Sequence, residues 1–152
     1  MQVAFKPSQP EEAKILSEIA VRSKGYWGYS QEQLELWREG LSTSPEYIAA
    51  NSVRSIWHGQ QIVGYFSIVK SSPPLLDNLW LLPEVIGKGV GKQALTEIKT
   101  LAAQLGLSEL IIISDPDAEG FYLHHGAIRI GEHPSIPQGR MLPKLRLTIG
   151  RA

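Results

Sequence analysis

Three glycines at alternate positions, Gly87, Gly89 and Gly91, follow the apolar run Leu79-Trp80-Leu81-Leu82 and Pro83, with Lys88 and Lys92 set among them. An amphipathic stretch comes next, so the pattern reads as a strand, a tight turn and the start of a helix. A turn of this kind aims unshielded backbone N–H groups and the positive end of a helix at one place, which suits an anion. Glycine has no Cβ, so the backbone can approach a phosphate closely. The chemistry to expect is therefore the holding of a phosphorylated ligand. A Walker A loop would need glycine five residues before the Gly91-Lys92 pair and a hydroxyl after it; Ile86 and Gln93 stand there. A dinucleotide fingerprint starting at Gly87 would need glycine where Lys92 stands.

A second segment lies further along. Asp115-Pro116-Asp117-Ala118-Glu119-Gly120-Phe121-Tyr122-Leu123-His124-His125-Gly126-Ala127 follows the apolar run Leu110–Ile113. The glycine loop resembles the pyrophosphate loop of the GNAT superfamily of N-acetyltransferases, Gln/Arg-x-x-Gly-x-Gly/Ala, with Ile86 in place of the leading Gln or Arg. The second segment is similar to that family's Asn-x-x-Ala-x-x-Phe-Tyr-x-x-x-Gly-Phe. Ala118, Phe121, Tyr122 and Gly126 match, while Asp115 and Ala127 replace Asn and Phe. The two motifs keep the family's order and separation, and the resemblance spans roughly residues 75–130.

The resemblance implies acetyl-CoA as co-substrate, no metal, and acetyl transfer to a primary amine of a small molecule or peptide by direct attack on the thioester. It places the pyrophosphate on Gly87, Lys88, Gly89, Val90, Gly91 and Lys92, and the pantetheine along the backbone of Leu79, Trp80 and Leu81, with Asp115 and Tyr122 also beside the coenzyme. A backbone N–H at Leu81 or Leu82 would stabilise the oxyanion. Tyr122 is the implied acid for the departing thiolate, whose ordinary pKa is about 8.5; an isolated Phe-Tyr pair would read as core, and Phe121 keeps that reading. Asp77 lies near the family's usual place for the base, with a strand-end turn or an unassisted, water-mediated deprotonation as the alternatives. His124 and His125 read as helix-end residues, and His58 as part of a hairpin turn.

Acceptor recognition is expected from the least matched parts. Tyr26, Trp27 and Tyr29 crowd a Gly-flanked loop, and exposed aromatics mark binding surfaces; an aromatic plug under the loop is the competing reading. The run Ile136–Pro143 forms the other rim, where Arg140 pairs with an acceptor carboxylate or a partner subunit, or is simply solvated. A catalytically weak acyl-CoA-binding or sensing module of the same fold is the alternative function.

The elements that must position these residues are legible from punctuation. Gln2–Lys6 alternates as a first strand. Pro10-Glu11-Glu12 opens a helix with Ile15, Leu16, Ile19 and Ala20 on one face, and Ser30 with Gln33 opens a second carrying Leu34, Leu36, Trp37 and Leu41. Ser52–His58 and Gln61–Lys70 form a hairpin about His58-Gly59. Strands at 75–82 and 110–113 flank a helix marked by Val90, Ala94, Ile98, Leu101 and Leu105 and ended by Gly106. Ala118–His125 is a short helix; 127–133 and 144–149 are closing strands. The sum is one α/β (mixed α+β) domain over residues 1–152, a central mixed, twisted sheet of about six to seven strands with about four helices. By the resemblance, the sheet splays between its fourth and fifth strands.

Composition fits and excludes. A chain of 152 residues can hold a real core. With 15 basic and 15 acidic residues, no net charge draws it to nucleic acid or to a membrane surface. It has no Cys, hence no disulfide or thiolate metal site. No apolar run approaches about 18 residues and no signal-like h-region is present, so a cytoplasmic location is expected, with homodimerisation left open.

Overall fold

The computed structural model describes residues 1–135 and 140–150. Seven strands and five α-helices follow one another in these residues: β1 Ala4–Pro7, α1 Ala13–Gly25, α2 Gln31–Leu41, α3 Pro45–Ala50, β2 Ser52–His58, β3 Gln61–Val69, β4 Leu75–Leu81, α4 Val90–Gln104, β5 Glu109–Ile113, α5 Glu119–His124, β6 Ile128–Pro134 and β7 Met141–Thr148. Short 3-10 turns at Pro10–Glu12, Pro83–Val85 and Pro116–Ala118 precede α1, the glycine loop and α5. The strand order is β1-β2-β3-β4-β5-β7-β6. The sheet is mixed: β4 and β5 run parallel, while β1–β2, β2–β3, β5–β7 and β6–β7 are antiparallel. The α/β class is as expected. The fifth helix is α3, which the hydrophobic pattern does not announce because it is only six residues long.

The chain groups into two compact units, Met1–Ile68 with Asn78–Ile98, and Val69–Asp77 with the chain from Lys99 onward. In the first, one apolar cluster joins Leu16, Ile19 and Ala20 of α1, Ile48 of α3, Ile56, Val63 and Tyr65 of β2 and β3, and Val90 and Ala94 of α4. Local chemistry starts each helix. Ser30 Oγ accepts from the Gln33 N–H (3.1 Å) to open α2, and Ser44 Oγ accepts from the Tyr47 N–H (3.0 Å) to open α3, where Pro45 occupies the first position. The β2–β3 hairpin turns at Gly59, whose φ of 60° glycine adopts without strain.

In the second unit, the end of α4 is closed by Gly106 (φ 78°): the Leu107 N–H reaches Ala102 O and the Gly106 N–H reaches Ala103 O, both at 3.0 Å. The β5–β7 register sets Leu110 opposite Leu147 and Ile112 opposite Leu145, all four buried. Leu75 of β4 registers with Ile111, and the Ile111 N–H also reaches Pro74 O at 2.9 Å. Among the described residues this is the one register pair between β4 and β5. The closing strand β7 begins at Met141, earlier than the sequence pattern suggests, because β6 residues Glu132–Pro134 pair with Met141–Pro143.

Gly64 in β3 has no room for a side chain. A Cβ there would stand 2.6 Å from the Trp80 carbonyl oxygen and 2.8 Å from Leu81 Cδ2. Gly64→Ala should therefore lower the unfolding free energy by about 1–3 kcal/mol. Gly120→Ala, in α5 where an added methyl group would meet nothing within 4 Å, should be neutral or stabilising by up to about 1 kcal/mol. Urea denaturation of both variants is the check; equal stabilities would remove the steric argument.

Candidate functional site

In the first unit, β4 ends where the Leu82 N–H bonds to Val63 O at 2.8 Å. Of Leu81 and Leu82, the two oxyanion donors that the sequence leaves open, Leu82 has its N–H bonded to β3 here. The Pro83–Val85 turn then leads into the loop, with the Ile86 N–H on Pro83 O and the Lys88 N–H on Val85 O, each at 3.3 Å. Gly87 and Gly89 take φ of 83° and 81°, values that L side chains rarely adopt, and nothing lies within 4 Å of where a Cβ would be. The two residues thus leave an open cradle. Gly91 differs: it lies inside α4 and is not among the glycines of positive φ.

The first helical bond of α4 runs from the Gln93 N–H to Gly89 O (3.3 Å). The N–H groups of Val90, Gly91 and Lys92 precede it and have no intrahelical acceptor. The positive end of a helix of 15 residues points out beside the open cradle. Val90 itself is fully buried, so only its backbone can serve a ligand, while Lys88 and Lys92 are both exposed to solvent. This donor set suits a diphosphate.

The strand before the loop carries a polar network that the residue pattern does not announce. Asn78 Nδ2 donates to Ser67 Oγ (2.9 Å) and Tyr47 Oη (3.3 Å), Trp80 Nε1 donates to Asn78 Oδ1 (2.9 Å), and Tyr47 Oη and Ser67 Oγ are 2.9 Å apart. Leu79, Trp80 and Leu81 pack, partly buried, against the core. The network holds the Asn78 and Trp80 side chains of β4 in place.

The three loop aromatics differ in their surroundings. The Tyr29 ring meets Trp37 edge-on at 4.8 Å, and the buried Lys24 sets its ammonium 5.1 Å from Tyr29 and 4.7 Å from Trp37. Tyr26 and Trp27 are 49% and 42% exposed and meet each other edge-on at 4.9 Å. Tyr26 lines a groove of about 400 Å³ with Glu18, Arg22, Gln31, Arg38 and Pro83. Arg22 pairs with Glu84 at 2.7 Å and Arg38 with Glu18 at 3.1 Å along it.

The second unit holds Asp77, Asp115, Tyr122 and Arg140. Tyr122 is 7% exposed, with Phe121 edge-on at 5.3 Å; it is Phe121 that is half-buried, the reverse of a simple core reading. Burial pushes the Tyr122 phenol well above its ordinary value, so it keeps its proton at neutral pH. Asp115 caps the 3-10 turn by accepting from the Asp117 N–H at 2.9 Å, and Arg140 Nη2 comes within 3.7 Å of its carboxylate. The structure thus brings two residues with separate expected roles together as a pair. Asp77 is exposed on β4, next to the buried Leu76. Ile136, Pro137, Gln138 and Gly139 of the expected rim lie outside the described residues. Among the described residues, no group of three His, Asp or Glu side chains could hold a metal, and no helix is long and apolar enough to cross a membrane.

Residues 28–138 match the profile of the acetyltransferase (GNAT) domain. The fold is similar to a GCN5-related N-acetyltransferase from Rhodopseudomonas palustris (TM-score 0.82, 22% identity, 98% of this chain and 97% of that one). It is also similar to the PaiA N-acetyltransferase of Thermoplasma acidophilum in complex with coenzyme A (0.78, 19%, 97% and 99%). A third likeness is to a GNAT family acetyltransferase from Elizabethkingia anophelis with acetyl-CoA bound (0.72, 12%, 97% and 98%). At these identities the likenesses establish the fold. No curated protein matches the sequence.

The buried phenol makes a stability prediction with a definite sign. Folding favours the neutral form of Tyr122, so its contribution is complete below the unfolded phenol's pKa of about 10 and is lost as pH rises beyond it. Between pH 10 and 11 the wild type should lose up to about 1.4 kcal/mol per pH unit relative to Tyr122→Phe. Parallel urea curves for the two proteins across that range would show otherwise if the phenol ionised freely in the fold.

Proposed function

The chain belongs to the acetyltransferase (GNAT) domain family, and on that premise we propose that it moves an acetyl group from acetyl-coenzyme A to a primary amine of a small molecule or peptide, the whole chain acting as one domain. The observation that carries the reading is the cradle at Gly87 and Gly89 beneath the open N–H groups of α4. Coenzyme A and acetyl-CoA bound to the relatives of the same fold support it.

When bound, acetyl-CoA supplies an activated acyl carbon: the acceptor nitrogen bonds to it as the carbon–sulfur bond breaks and a thiolate leaves. In this reading the loop main chain from Gly87 to Lys92 holds the diphosphate, with Lys88 and Lys92 adding charge where Ile86 cannot. The backbone of Leu79, Trp80 and Leu81 takes the pantetheine, and the Leu81 N–H faces the developing oxyanion. Tyr122 Oη would give its proton to the thiolate sulfur and take one back from solvent; burial keeps the phenol protonated at neutral pH and also opposes leaving a phenolate behind. The proton shed by the amine goes to Asp77 or directly to water. Tyr26 and Trp27 receive the acceptor, whereas Tyr29 shapes the loop from beneath. Asp115 and Arg140 act as a pair, so each influences its rim through the other.

Titration calorimetry with a chelator present should give micromolar binding of acetyl-CoA, about −8 kcal/mol. Gly89→Glu should abolish it, because a side chain and a negative charge would fill the cradle and strain a φ of 81°. No heat from the wild type would sink the proposal.

Tyr122→Phe should lower the maximal rate by roughly 10²–10⁴ while leaving coenzyme affinity nearly unchanged. Thiol release with an amine panel measures it, and the loss should shrink for acyl donors with more acidic thiols. Binding of acetyl-CoA with no turnover on any amine would favour a non-catalytic acyl-CoA-binding module. A folded Tyr122→Phe protein with full activity would return the residue to the core.

A further inference from the structure

The glycine loop does not stand alone. Gln93, in the first turn of α4, is half-buried, and its side-chain amide makes contacts on two sides. Its Nε2 donates to Met1 O at 2.5 Å and lies 3.4 Å from Gly89 O, while its Oε1 accepts from the Val3 N–H at 3.4 Å. The carbonyl of one residue and the N–H of the residue two further on are the groups that a neighbouring strand would address. A primary amide carries the same donor and acceptor as a peptide group. Gln93 therefore acts as one rung of a strand neighbour to the run leading into β1, and β1 is an edge strand whose other side is held by β2. Val3 and Phe5 pack against the main apolar cluster of this unit. Val3 is thereby seated on the core next to the point where Gln93 meets the chain.

We infer that Gln93 is a positioning residue for the coenzyme loop, holding the Gly89 carbonyl and the first turn of α4 against the Met1–Val3 backbone. The inference rests on the acetyltransferase reading for the identity of the ligand. Gly87 and Gly89 each have the conformational freedom that makes a loop costly to order. A loop already fixed before the diphosphate arrives loses less entropy on binding, and the gain appears as affinity. Gln93 touches neither the acyl carbon nor the acceptor, so its effect belongs to coenzyme binding and not to the chemical step.

Gln93→Leu retains a side chain with good helix preference and removes all three contacts. It should weaken coenzyme A binding about three- to tenfold. With acetyl-CoA saturating, the maximal rate and the acceptor KM should stay within about twofold. Hydrogen–deuterium exchange of the ligand-free protein should quicken over Gly87–Lys92. Val3→Pro, which deletes the N–H that Gln93 accepts, should weaken binding in the same way, and the double variant should be less impaired than the product of the two single effects. Thr96→Ala, one turn further along α4, should leave affinity unchanged, and its Tm together with that of Gln93→Leu separates loop loosening from general destabilisation. Wild-type affinity and wild-type loop exchange in Gln93→Leu would overturn the inference while leaving the acetyltransferase reading standing. A wild type that binds no coenzyme A would bring down the reading and this inference together.

Discussion

A single main-chain hydrogen bond, Leu82 N–H to Val63 O at 2.8 Å, decides where β4 stops and the glycine loop begins. It requires β3 and β4 to lie very close, and they can because residue 64 has no side chain: any Cβ would meet the Trp80 carbonyl at 2.6 Å. Pro83 follows at once and has no N–H to continue the ladder. The chain must leave the sheet there, and the Pro83–Val85 turn delivers it to Gly87 and Gly89 in a conformation few other residues tolerate. The open geometry of the glycine loop is thus a consequence of how one strand is made to end.

Polar groups beneath the first unit's helices are paired in a way that makes the sheet rigid. Ser8 and Ser55 share a 2.6 Å hydrogen bond and Ser55 reaches Glu12; Thr43 meets Tyr65 at 3.3 Å; Asn78 joins Ser67, Tyr47 and Trp80. Each such bond adds only about 1 kcal/mol, but stripping one partner from a buried group costs about 1–3 kcal/mol. That asymmetry favours one arrangement of β3 and β4 over near alternatives. The exposed ion pairs, such as Arg22–Glu84 with both side chains more than half exposed, add little stability and shape the groove rim instead.

The second unit relies on apolar register. Leu110, Ile112, Leu145 and Leu147 interlock across β5 and β7, and Tyr122 is buried to the same degree as many aliphatic residues. Its phenol is held neutral by the same desolvation that makes the core. Packing and proton affinity are here one effect: the residue that fills the space is also the one kept protonated.

Local chemistry was readable from the sequence. Ser30 as a helix cap, the β2–β3 hairpin at Gly59, the stop at Gly106 and the loop at Gly87 and Gly89 depend on a residue's own φ or on partners within a few positions. Even α3 carried a signal in Ser44-Pro45-Glu46, though too short for a periodic face. The two family motifs, which are runs of neighbours, were legible for the same reason. Contacts between distant residues were not. Nothing in the sequence tied Gln93 to Val3 across 90 positions, committed Leu82 to Val63, paired Arg140 with Asp115 or divided Tyr29 from Tyr26 and Trp27. Gly64 offered a hint, since a glycine inside a strand often marks a close approach, but its partner, the Trp80 carbonyl, emerged only from the fold. Side-chain type limits what a residue can bond to; which of its many candidate partners it meets is settled by how strands and helices pack, and that is a property of the whole chain.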